Sequence, residues 1–258
     1  MSKAAGWLRR LRPCLIPFCA LSAWQGAAML VDHPLFPSPA AVLLSFRDCW
    51  QPLGLHLLFS AGRLAAGLLP ALCIGLPLGL LLGFFPRSDR YLSGLLYLLG
   101  TLPKAALLPL LLLAFGVGEG SKAALVFLIL FFPLVLSVRD ALREIPPVLF
   151  APYRAAGLSG RRMLLDIALP ACLPALFTVL RSGLAAGISI LFLAEAYGTR
   201  YGMGFFIMDM WVRLEYDRML LGIFLFGGFG FALCRLTDRL ENRLCPGKKQ
   251  DRTDRQPD

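Results

Sequence analysis

The chain has 258 residues, of which 57% are hydrophobic and 16% are charged, and its formal net charge is +10. Soluble domains carry about a quarter of charged residues, so this composition excludes an ordinary soluble protein and indicates an integral membrane protein. The basic residues lie in short segments between apolar runs rather than along one polar face, which argues against nucleic acid as a partner.

The chain opens with a short basic segment, residues 1–12, followed by an apolar run at 13–31. This run is longer than the apolar core of a signal peptide, and no A-x-A-like cleavage site follows it. We therefore predict a retained first transmembrane helix that is preceded by a cytoplasmic N-terminus. The Pro-rich residues 32–56 are then predicted to form an outer connection, with an interfacial helix after Ser38.

The rest of the chain repeats this pattern of apolar runs. Uncharged runs follow at 64–86, 91–103, 105–118, 123–138, 182–194 and 219–234. Lys104 alone separates the runs 91–103 and 105–118, and the run at 182–194 extends back through Arg181. Merging on these terms predicts six spans, each near the roughly 20 residues that a helix needs to cross the hydrocarbon. The absence of alternation favours helices over a barrel, so the predicted fold is an all-α transmembrane domain over residues 13–245.

The distribution of basic residues predicts the orientation. With a cytoplasmic N-terminus, the segments 86–91, 139–171 and 235–258 also face the cytoplasm. Together with residues 1–12, these segments hold 18 of the 26 Lys and Arg residues. The positive-inside rule therefore places both termini in the cytoplasm. The polar tail at 246–258 has no apolar anchors and is predicted to be disordered.

The segment 139–171 is the one predicted cytoplasmic insert between spans that is long enough to fold. Pro146 and Pro147 interrupt any helix that runs down from the preceding span. Gly157 and Gly160 permit a sharp reversal, because glycine tolerates positive φ. The sequence therefore predicts a structured loop in this segment.

A short helix is predicted over residues 160–168, with Leu169 and Pro170 ending it. Three apolar residues share one face of this helix, namely Met163, Leu164 and Ile167. This face would suit the groove of a partner, with Arg161 and Arg162 meeting an acidic rim. An ordinary basic loop that fixes topology is the alternative, and the residues alone leave both open.

Ionisable residues inside the predicted spans are the next candidates. A charge in hydrocarbon costs about 2.5–3.5 kcal/mol on insertion scales, so each one should face a cavity or a partner. Lys104 follows the helix breaker Pro103, Arg181 lies within the fifth span, and Glu195 lies near the outer end of that span. In one interpretation, Pro103, Lys104 and Arg181 line a path for an anion, and Glu195 gates it or pairs with one of the two cations. In the other, Lys104 and Arg181 pair with Glu195 or with helix-end carbonyls purely for assembly. Arg63 is predicted to snorkel to the outer surface.

The sequence offers little chemistry for an enzyme. It contains no zinc-hydrolase, serine-hydrolase or phosphate-loop motif, its seven cysteines form no CxxC pair, and it has two histidines. We therefore predict no catalytic residue, no metal site and no cofactor in this chain. A secondary transporter or channel remains the rival function, although it would need its own coupling-ion site.

Residues 151–170 contain the spacing G-x9-I-x-L-P, from Gly157 through Ile167 and Leu169 to Pro170. This loop resembles the EAA loop of binding-protein-dependent ABC permeases. Five further stretches are similar to the nitrate, sulfonate and taurine branch of that family: FPSPAAVL (36–43), HLLFSAGRLAAG (56–67), IGLPLGLLLGF (74–84), TLPKAALLPLLLLAFGVGEGSK (101–122) and AEAYGTRYGMGFFI (194–207). The resemblance covers roughly residues 35–243. The family's Glu-Ala-Ala falls on Ala151-Pro152-Tyr153, so its acidic residue is missing here.

The resemblance implies the type I ABC importer permease fold, which is MetI-like, and a bacterial inner-membrane location. It also implies that the loop contacts a separate ATPase through a set of residues: Tyr153, Arg154, Gly157, Gly160, Arg161, Arg162, Met163, Leu164, Ile167, Leu169 and Pro170. Two ATPase subunits would bind ATP and Mg, and a periplasmic or lipid-anchored solute-binding protein would deliver the solute. A second permease copy is expected as well, because six helices make a thin wall and two copies enclose a path.

The implied function is ATP-driven import of a small anion such as nitrate, a sulfonate or taurine by alternating access. Some relatives carry thiamine-precursor-like compounds, which is the alternative substrate class.

Overall fold

A computed structural model of the protein describes residues 3–31, 33–158 and 160–245, and every regular element in these ranges is helical. The α-helices in these ranges are α1 (Lys3–Val31), α2 (Pro39–Phe84), α3 (Pro86–Thr101), α4 (Leu108–Phe115), α5 (Glu119–Arg143), α6 (Ala151–Ala155), α7 (Gly160–Met163), α8 (Leu169–Ala196), α9 (Met203–Val212) and α10 (Tyr216–Leu244). The predicted all-α architecture is confirmed for this part of the chain. The predicted tail at 246–258 lies outside the described residues.

Four helical segments in the described part of the chain are long and apolar enough to cross a membrane. They are Pro39–Phe84, Glu119–Arg143, Gly160–Ala196 and Tyr216–Leu244. A fifth span arises if α3 and the segment Lys104–Phe115, which meet at 85°, count as one. Leu15–Val31 is a shorter apolar helix. The described residues thus give four or five spans by length and composition, and the sixth stays a prediction.

Helix α2 is one continuous helix of 46 residues. It begins as predicted after Ser38, whose hydroxyl accepts a hydrogen bond from the Ala41 N–H at 3.2 Å. At 1.5 Å per residue it is about 69 Å long, more than twice the thickness of the hydrocarbon. The separate interfacial helix predicted after Ser38 is therefore wrong, because the same helix runs through to Phe84.

The reason for this continuity is a buried face that does not stop at the predicted boundary. Buried residues recur at spacings of three and four along the first half of α2, namely Val42, Ser45, Cys49, Leu53, His56 and Ser60. Such a periodic face keeps a helix packed on its neighbours, so the hydrogen bond that Pro52 removes does not break it.

Helices α2 and α5 pack closely because small residues line their contact. Gly67, Gly75, Gly79 and Gly83 lie on one face of α2 with the buried Ala71. A Cβ atom added at Gly67 would lie 2.6 Å from the Cβ of Val126. Small residues let helices approach in this way where lipid provides no hydrophobic driving force. Gly183 on α8 follows the same rule, since a Cβ there would lie 2.7 Å from Leu130 Cδ2.

The predicted single span over 91–118 is in fact broken. Helix α3 ends at Thr101, Leu102 and Pro103 are extended, and a 3-10 turn at Lys104–Leu107 leads into α4. Pro103 cannot donate a backbone hydrogen bond, which is why the helix stops before it. The chain turns by 85° at this break.

Candidate functional site: a loop and a buried charge cluster

The predicted loop begins where α5 ends, at Arg143. Pro146 and Pro147 stop the helix as predicted, and the chain continues as a 3-10 turn over Pro147–Phe150 and then as α6. Phe150 is buried, and its ring packs edge-on against Phe84 with 6.3 Å between centroids. The loop is therefore anchored to the helical core, and the end of the bundle that carries it is called the loop end below.

Gly157 reverses the chain at a φ of +65°, as the sequence predicts. Gly160 is instead the first residue of α7, with a φ outside the left-handed region. The helix then does not end at Leu169 and Pro170, which corrects that prediction. A π-helical turn over Leu164–Ala168 leads directly into α8, and Gly160–Ala196 is one helical segment of 37 residues. The wider π turn accommodates Pro170, whose ring would clash with the carbonyl of Asp166 in a regular α-helix.

The apolar face predicted for a partner belongs to the core of this chain. Met163, Leu164 and Ile167 pack on a buried cluster that includes Phe150 and Ala168. Apolar side chains that are exposed in the same region lie elsewhere, at Val148, Leu149 and Leu165, which are 70%, 52% and 50% exposed. These three side chains are therefore more accessible to a partner than the half-buried face formed by Met163, Leu164 and Ile167.

The remaining predicted loop residues divide by exposure. Gly157, Gly160, Arg161, Arg162 and Pro170 are exposed, whereas Tyr153 and Leu169 are half-buried. The side chain of Arg154 lies outside the described part of the structure. Ala151, which stands where the family has its glutamate, is the exposed first residue of α6.

An ion-pair cluster joins α3 to the end of α5, immediately before the loop. Asp89, whose side chain is 9% exposed, binds Arg143 at 2.8 Å and Arg139 at 3.2 Å. Arg139 also donates to the Tyr97 hydroxyl at 2.7 Å and binds Asp140 at 2.6 Å. Sequence reasoning counted these arginines only toward topology, although an aspartate between Arg87 and Arg90 was a signal that a partner lay nearby.

Lys104 satisfies the carbonyls that the break after α3 leaves free. Its Nζ donates to the carbonyl oxygens of Leu99 at 2.8 Å and Leu102 at 2.9 Å, and also to that of Gly100. The ammonium group lies 5.3 Å from the centroid of the Phe132 ring. Of the two predicted roles, this geometry matches pairing with helix-end carbonyls.

Arg181 joins α8 to α10. Its Nε lies 2.7 Å from Asp238 and its Nη2 lies 2.5 Å from Glu241. The predicted partner Glu195 is therefore not the one it binds. The Arg181 side chain remains 37% exposed.

Glu195 pairs with Arg63, which overturns two predictions. Arg63 Nη1 lies 2.7 Å from Glu195 Oε1, with the two side chains 3% and 0% exposed. Arg63 thus does not snorkel to the surface, and Glu195 does not pair with Lys104 or Arg181. The Ser60 hydroxyl oxygen lies 2.8 Å from both Glu195 oxygens, and its single proton donates a hydrogen bond that the two oxygens share. Burial of both charges is tolerated because each has a partner and further hydrogen bonds.

Two more charges complete this cluster, which is called the buried charge cluster below and consists of Arg63, Glu119, Lys122 and Glu195. Glu119 is its exposed member, with a side chain that is 62% exposed. Glu119 Oε1 accepts from Arg63 Nη2 at 2.7 Å, and its Oε2 accepts from Arg63 Nε. Lys122 is fully buried, and its Nζ donates to the carbonyls of Val117 at 2.6 Å and Gly118 at 2.9 Å. An arginine in the middle of the apolar run HLLFSAGRLAAG was the sequence signal for this cluster.

The cluster also fixes the start of α9. The Gly202 N–H donates to His56 Nδ1 at 3.0 Å, the Met203 N–H to Ser60 Oγ at 2.8 Å, and the Gly204 N–H to Glu195 at 2.9 Å. These are N–H groups that a helix leaves free at its first turn. Gly202 has a φ of +128°, and a Cβ there would lie 2.5 Å from both Arg63 Nη1 and the Glu195 carboxyl carbon. Glycine is thus required by both backbone and space.

A cavity of about 600 Å³ lies beside the cluster. Its walls come from α2 and from the start of α5, and its lining residues are Leu58, Phe59, Gly62, Arg63, Ala66, Glu119, Gly120 and Ala123. Among the residues that the structure describes, no group of three or more His, Cys, Asp or Glu side chains could hold a metal ion.

Comparison with known proteins identifies the family. Residues 75–245 match the model of the binding-protein-dependent transport system inner membrane component. The chain is 32% identical to the aliphatic sulfonates transport permease protein SsuC of Bacillus subtilis, over 94% of this chain and 88% of that one. It is 31% identical to the taurine transport system permease protein TauC of Escherichia coli, over 86% and 84%.

The fold has a counterpart among solved structures. A chain of the MetNI methionine ABC transporter, in an inward-facing conformation, superposes with a TM-score of 0.58 at 21% sequence identity. The match covers 81% of this chain and 99% of the other. The chain therefore belongs to the binding-protein-dependent ABC importer permeases, in their sulfonate, taurine and nitrate branch, and is a membrane transport subunit without catalytic activity that works with an ATPase and a solute-binding protein.

Proposed function

We propose that this permease imports a small anion, such as a sulfonate, taurine or nitrate, by alternating access. Two copies of the chain would enclose the path, two ATPase subunits would bind at the loop end, and both termini would lie in the cytoplasm. A multi-pass location in the bacterial inner membrane follows from this arrangement. The observation that carries the proposal is that the loop packs on the core of the chain and continues directly into α8.

One side of the loop is fixed and the other is available. Phe150 is buried and the half-buried Met163 and Ile167 pack against the same core cluster, whereas Val148 and Leu149 are exposed. The exposed apolar side chains and the exposed Arg161 and Arg162 of the same loop would give an ATPase both an apolar contact and a basic one. A force applied there would be passed to the core through these packed side chains.

Helix α8 and its α7 extension give that force a route across the membrane. Gly160–Ala196 is one helical segment of 37 residues, or about 55 Å. It starts in the loop and carries Glu195 of the buried charge cluster near its far end. Displacement of the loop by ATPase closure would therefore tilt a helix whose opposite end is bonded to α2 and to α9, which is the motion that alternating access needs.

The small anion is supported by the relatives named for aliphatic sulfonates and taurine and by cations inside the spans. Arg63 and Lys122 are buried, and Lys104 is half-buried beside Pro103. Lys104, Pro103, Arg181 and Glu195 remain our candidates for the translocation path.

The test is uptake by proteoliposomes that contain the permease with its ATPase and receive the solute-binding protein from outside. We expect uptake of radiolabelled taurine, ethanesulfonate or nitrate that requires ATP inside. Uptake without the ATPase would indicate a secondary transporter instead. If the transporter imports an aminopyrimidine with ATP but none of these anions, its substrate belongs to the thiamine-precursor class instead.

A further inference from the structure

Arg63 is shared by two carboxylates that differ sharply in exposure. The Glu195 side chain is 0% exposed, whereas the Glu119 side chain is 62% exposed. Arg63 Nη1 serves Glu195 and the carbonyl of Tyr201, each at 2.7 Å. The Nε and Nη2 atoms both serve Glu119. The Nη1 atom therefore binds partners inside the protein, whereas the edge formed by Nε and Nη2 binds an exposed side chain.

Arg63 and Glu119, which holds this edge, both line the cavity of about 600 Å³. Two parallel N–H groups on a planar guanidinium match any group with two adjacent oxygens, including carboxylate, sulfonate and nitrate. Glu119 fills that position as a resident carboxylate. The Phe59 ring, 5.7 Å from the Arg63 guanidinium, helps to hold the fork in place.

Glu119 is also placed so that it can leave. It is the first residue of α5, and Gly118 and Gly120 flank it. Glu195, by contrast, is bound by Ser60 and by the Gly204 N–H as well as by Arg63. The Glu119 carboxylate can turn toward solvent without disturbing these other bonds.

If the Glu119 carboxylate moves away from Arg63, the cluster lacks one negative charge. The cluster contains two cations, Arg63 and Lys122, and two carboxylates, Glu119 and Glu195. Withdrawal of the Glu119 carboxylate leaves one uncompensated positive charge beside the cavity. A buried charge without a partner is costly, so the open site would attract an anion.

The rest of the cavity suits an aliphatic tail. Apart from Arg63 and Glu119, its lining consists of Leu58, Phe59, Gly62, Ala66, Gly120 and Ala123. These residues offer no further hydrogen-bonding side chain to a solute, but they offer apolar surface next to the guanidinium fork. An inorganic ion would leave that surface unused.

We propose that this cavity is a binding site for a small aliphatic oxyanion, whose head group takes the Arg63 edge that Glu119 occupies at rest. Glu119 is then a competitor that the ligand displaces, and it sets the affinity of the site. This inference rests on the proposed function in that it assigns the transported class of anion to named residues. The head group of an anionic lipid has the same chemistry, so the test separates the two sources.

The experiment measures ethanesulfonate binding to the permease–ATPase complex in phosphatidylcholine nanodiscs by saturation-transfer NMR. We expect Glu119→Gln and Glu119→Ala each to lower the dissociation constant at least tenfold, because the resident carboxylate is gone. The neutral isostere ethanesulfonamide should not gain affinity. The matched control is Asp48→Asn, which neutralises an exposed carboxylate about 22 Å away along α2 and should leave the constant unchanged.

Unchanged dissociation constants in both Glu119 variants, or an equal gain for ethanesulfonamide, would overturn the proposal. Replacing phosphatidylcholine with phosphatidylglycerol then identifies the occupant of the Glu119→Gln site. If phosphatidylglycerol weakens ethanesulfonate binding tenfold, a lipid head group occupies it, and if the constant is unchanged, the soluble solute does.

Uptake by the wild-type transporter separates this inference from the proposed function. If the wild type imports the anion with ATP but the Glu119 substitutions do not change binding, the proposed binding site is wrong and the proposed function stands. If the variants bind ethanesulfonate more tightly but the wild type imports no anion, the binding site stands and the anion is not the transported solute.

Discussion

Arg63 on α2 and Glu195 on α8 form an ion pair of 2.7 Å, although 132 positions separate them in the chain. Both side chains are withdrawn from solvent, and Ser60 and Gly204 supply further hydrogen bonds to the carboxylate. The pair is therefore the polar centre around which α2, α8 and the start of α9 are assembled.

Replacing Glu195 with Gln should destabilise the permease strongly. The substitution leaves a buried guanidinium without its interior counter-charge, and removing one member of a buried pair costs about 3–5 kcal/mol. The free energy of unfolding in mixed detergent micelles measures the effect. The matched control is Glu144→Gln, an exposed carboxylate after α5, which should change the free energy by less than about 0.5 kcal/mol. Equal stability of the two variants would show that Glu195 is not buried with Arg63.

Gly202 should not tolerate alanine. A Cβ would lie 2.5 Å from Arg63 Nη1 at a backbone φ of +128°. Backbone strain of this kind costs about 1–3 kcal/mol, and the ion pair would have to shift as well. We expect a large loss of monodisperse protein in size-exclusion chromatography. Gly228→Ala on α10, where a Cβ meets no atom within 4 Å, should elute as the wild type does. Normal elution of both variants would contradict the described geometry.

The sequence predicted the features that depend on nearby residues. Pro146, Pro147 and Gly157 shape the loop as expected because proline and glycine act on the backbone where they stand. The break at Pro103 has an equally local cause, although merging the runs 91–103 and 105–118 predicted one continuous span there. Lys104 likewise satisfies carbonyls within five positions of itself. Such effects need no knowledge of the fold.

Features that depend on distant residues were missed. Arg63 was placed at the surface because its partners, Glu119 and Glu195, come from α5 and α8. Likewise, the spacing of Met163 and Ile167 predicts an apolar helix face, but whether that face meets a partner or the chain's own core is decided by packing. The sequence pattern specifies a face, and the tertiary structure decides what covers it.

Gly157 should be needed to couple ATP hydrolysis to transport because of its backbone conformation, not because a side chain at this position would collide with its surroundings. No atom lies within 4 Å of an added Cβ, but the φ of +65° is strained for a β-branched residue. We expect Gly157→Val to lower the solute transported per ATP hydrolysed by at least fivefold, since the reversed chain would be displaced. Gly157→Asn, which tolerates the left-handed conformation, should retain most of the coupling.

The control for Gly157 is Gly160→Ala, at a helical position where an added Cβ also meets open space. It should transport with the wild-type ratio. Uptake and ATPase rates measured in the same proteoliposomes give the ratio for all three variants. A wild-type ratio in Gly157→Val would mean that the loop does not transmit the ATPase motion through this turn.

Asp89 should hold α3 to the loop end of α5. Asp89→Asn leaves Arg139 and Arg143 without the carboxylate that joins them, and we expect a loss of about 2–4 kcal/mol in unfolding free energy. Asp140→Asn removes the half-exposed carboxylate that also binds Arg139, at 2.6 Å, and should cost less than about 1 kcal/mol. Chemical denaturation of both variants tests the order, and a larger effect for Asp140 would contradict it.

Lys104 offers a way to separate a structural role from a role in the translocation path. Lys104→Met removes the donor that serves the carbonyls of Leu99, Gly100 and Leu102, so unfolding free energy should fall by about 1–3 kcal/mol. Lys104→Arg keeps a positive charge and several donors at the break and should restore most of that loss.

If Lys104 only satisfies carbonyls, the KM for anion uptake stays at the wild-type value in both variants while the amount of active transporter falls in Lys104→Met. A KM that rises severalfold in Lys104→Met at unchanged stability would instead place the ammonium group in contact with the solute, because loss of uniform binding raises KM without changing the folded fraction.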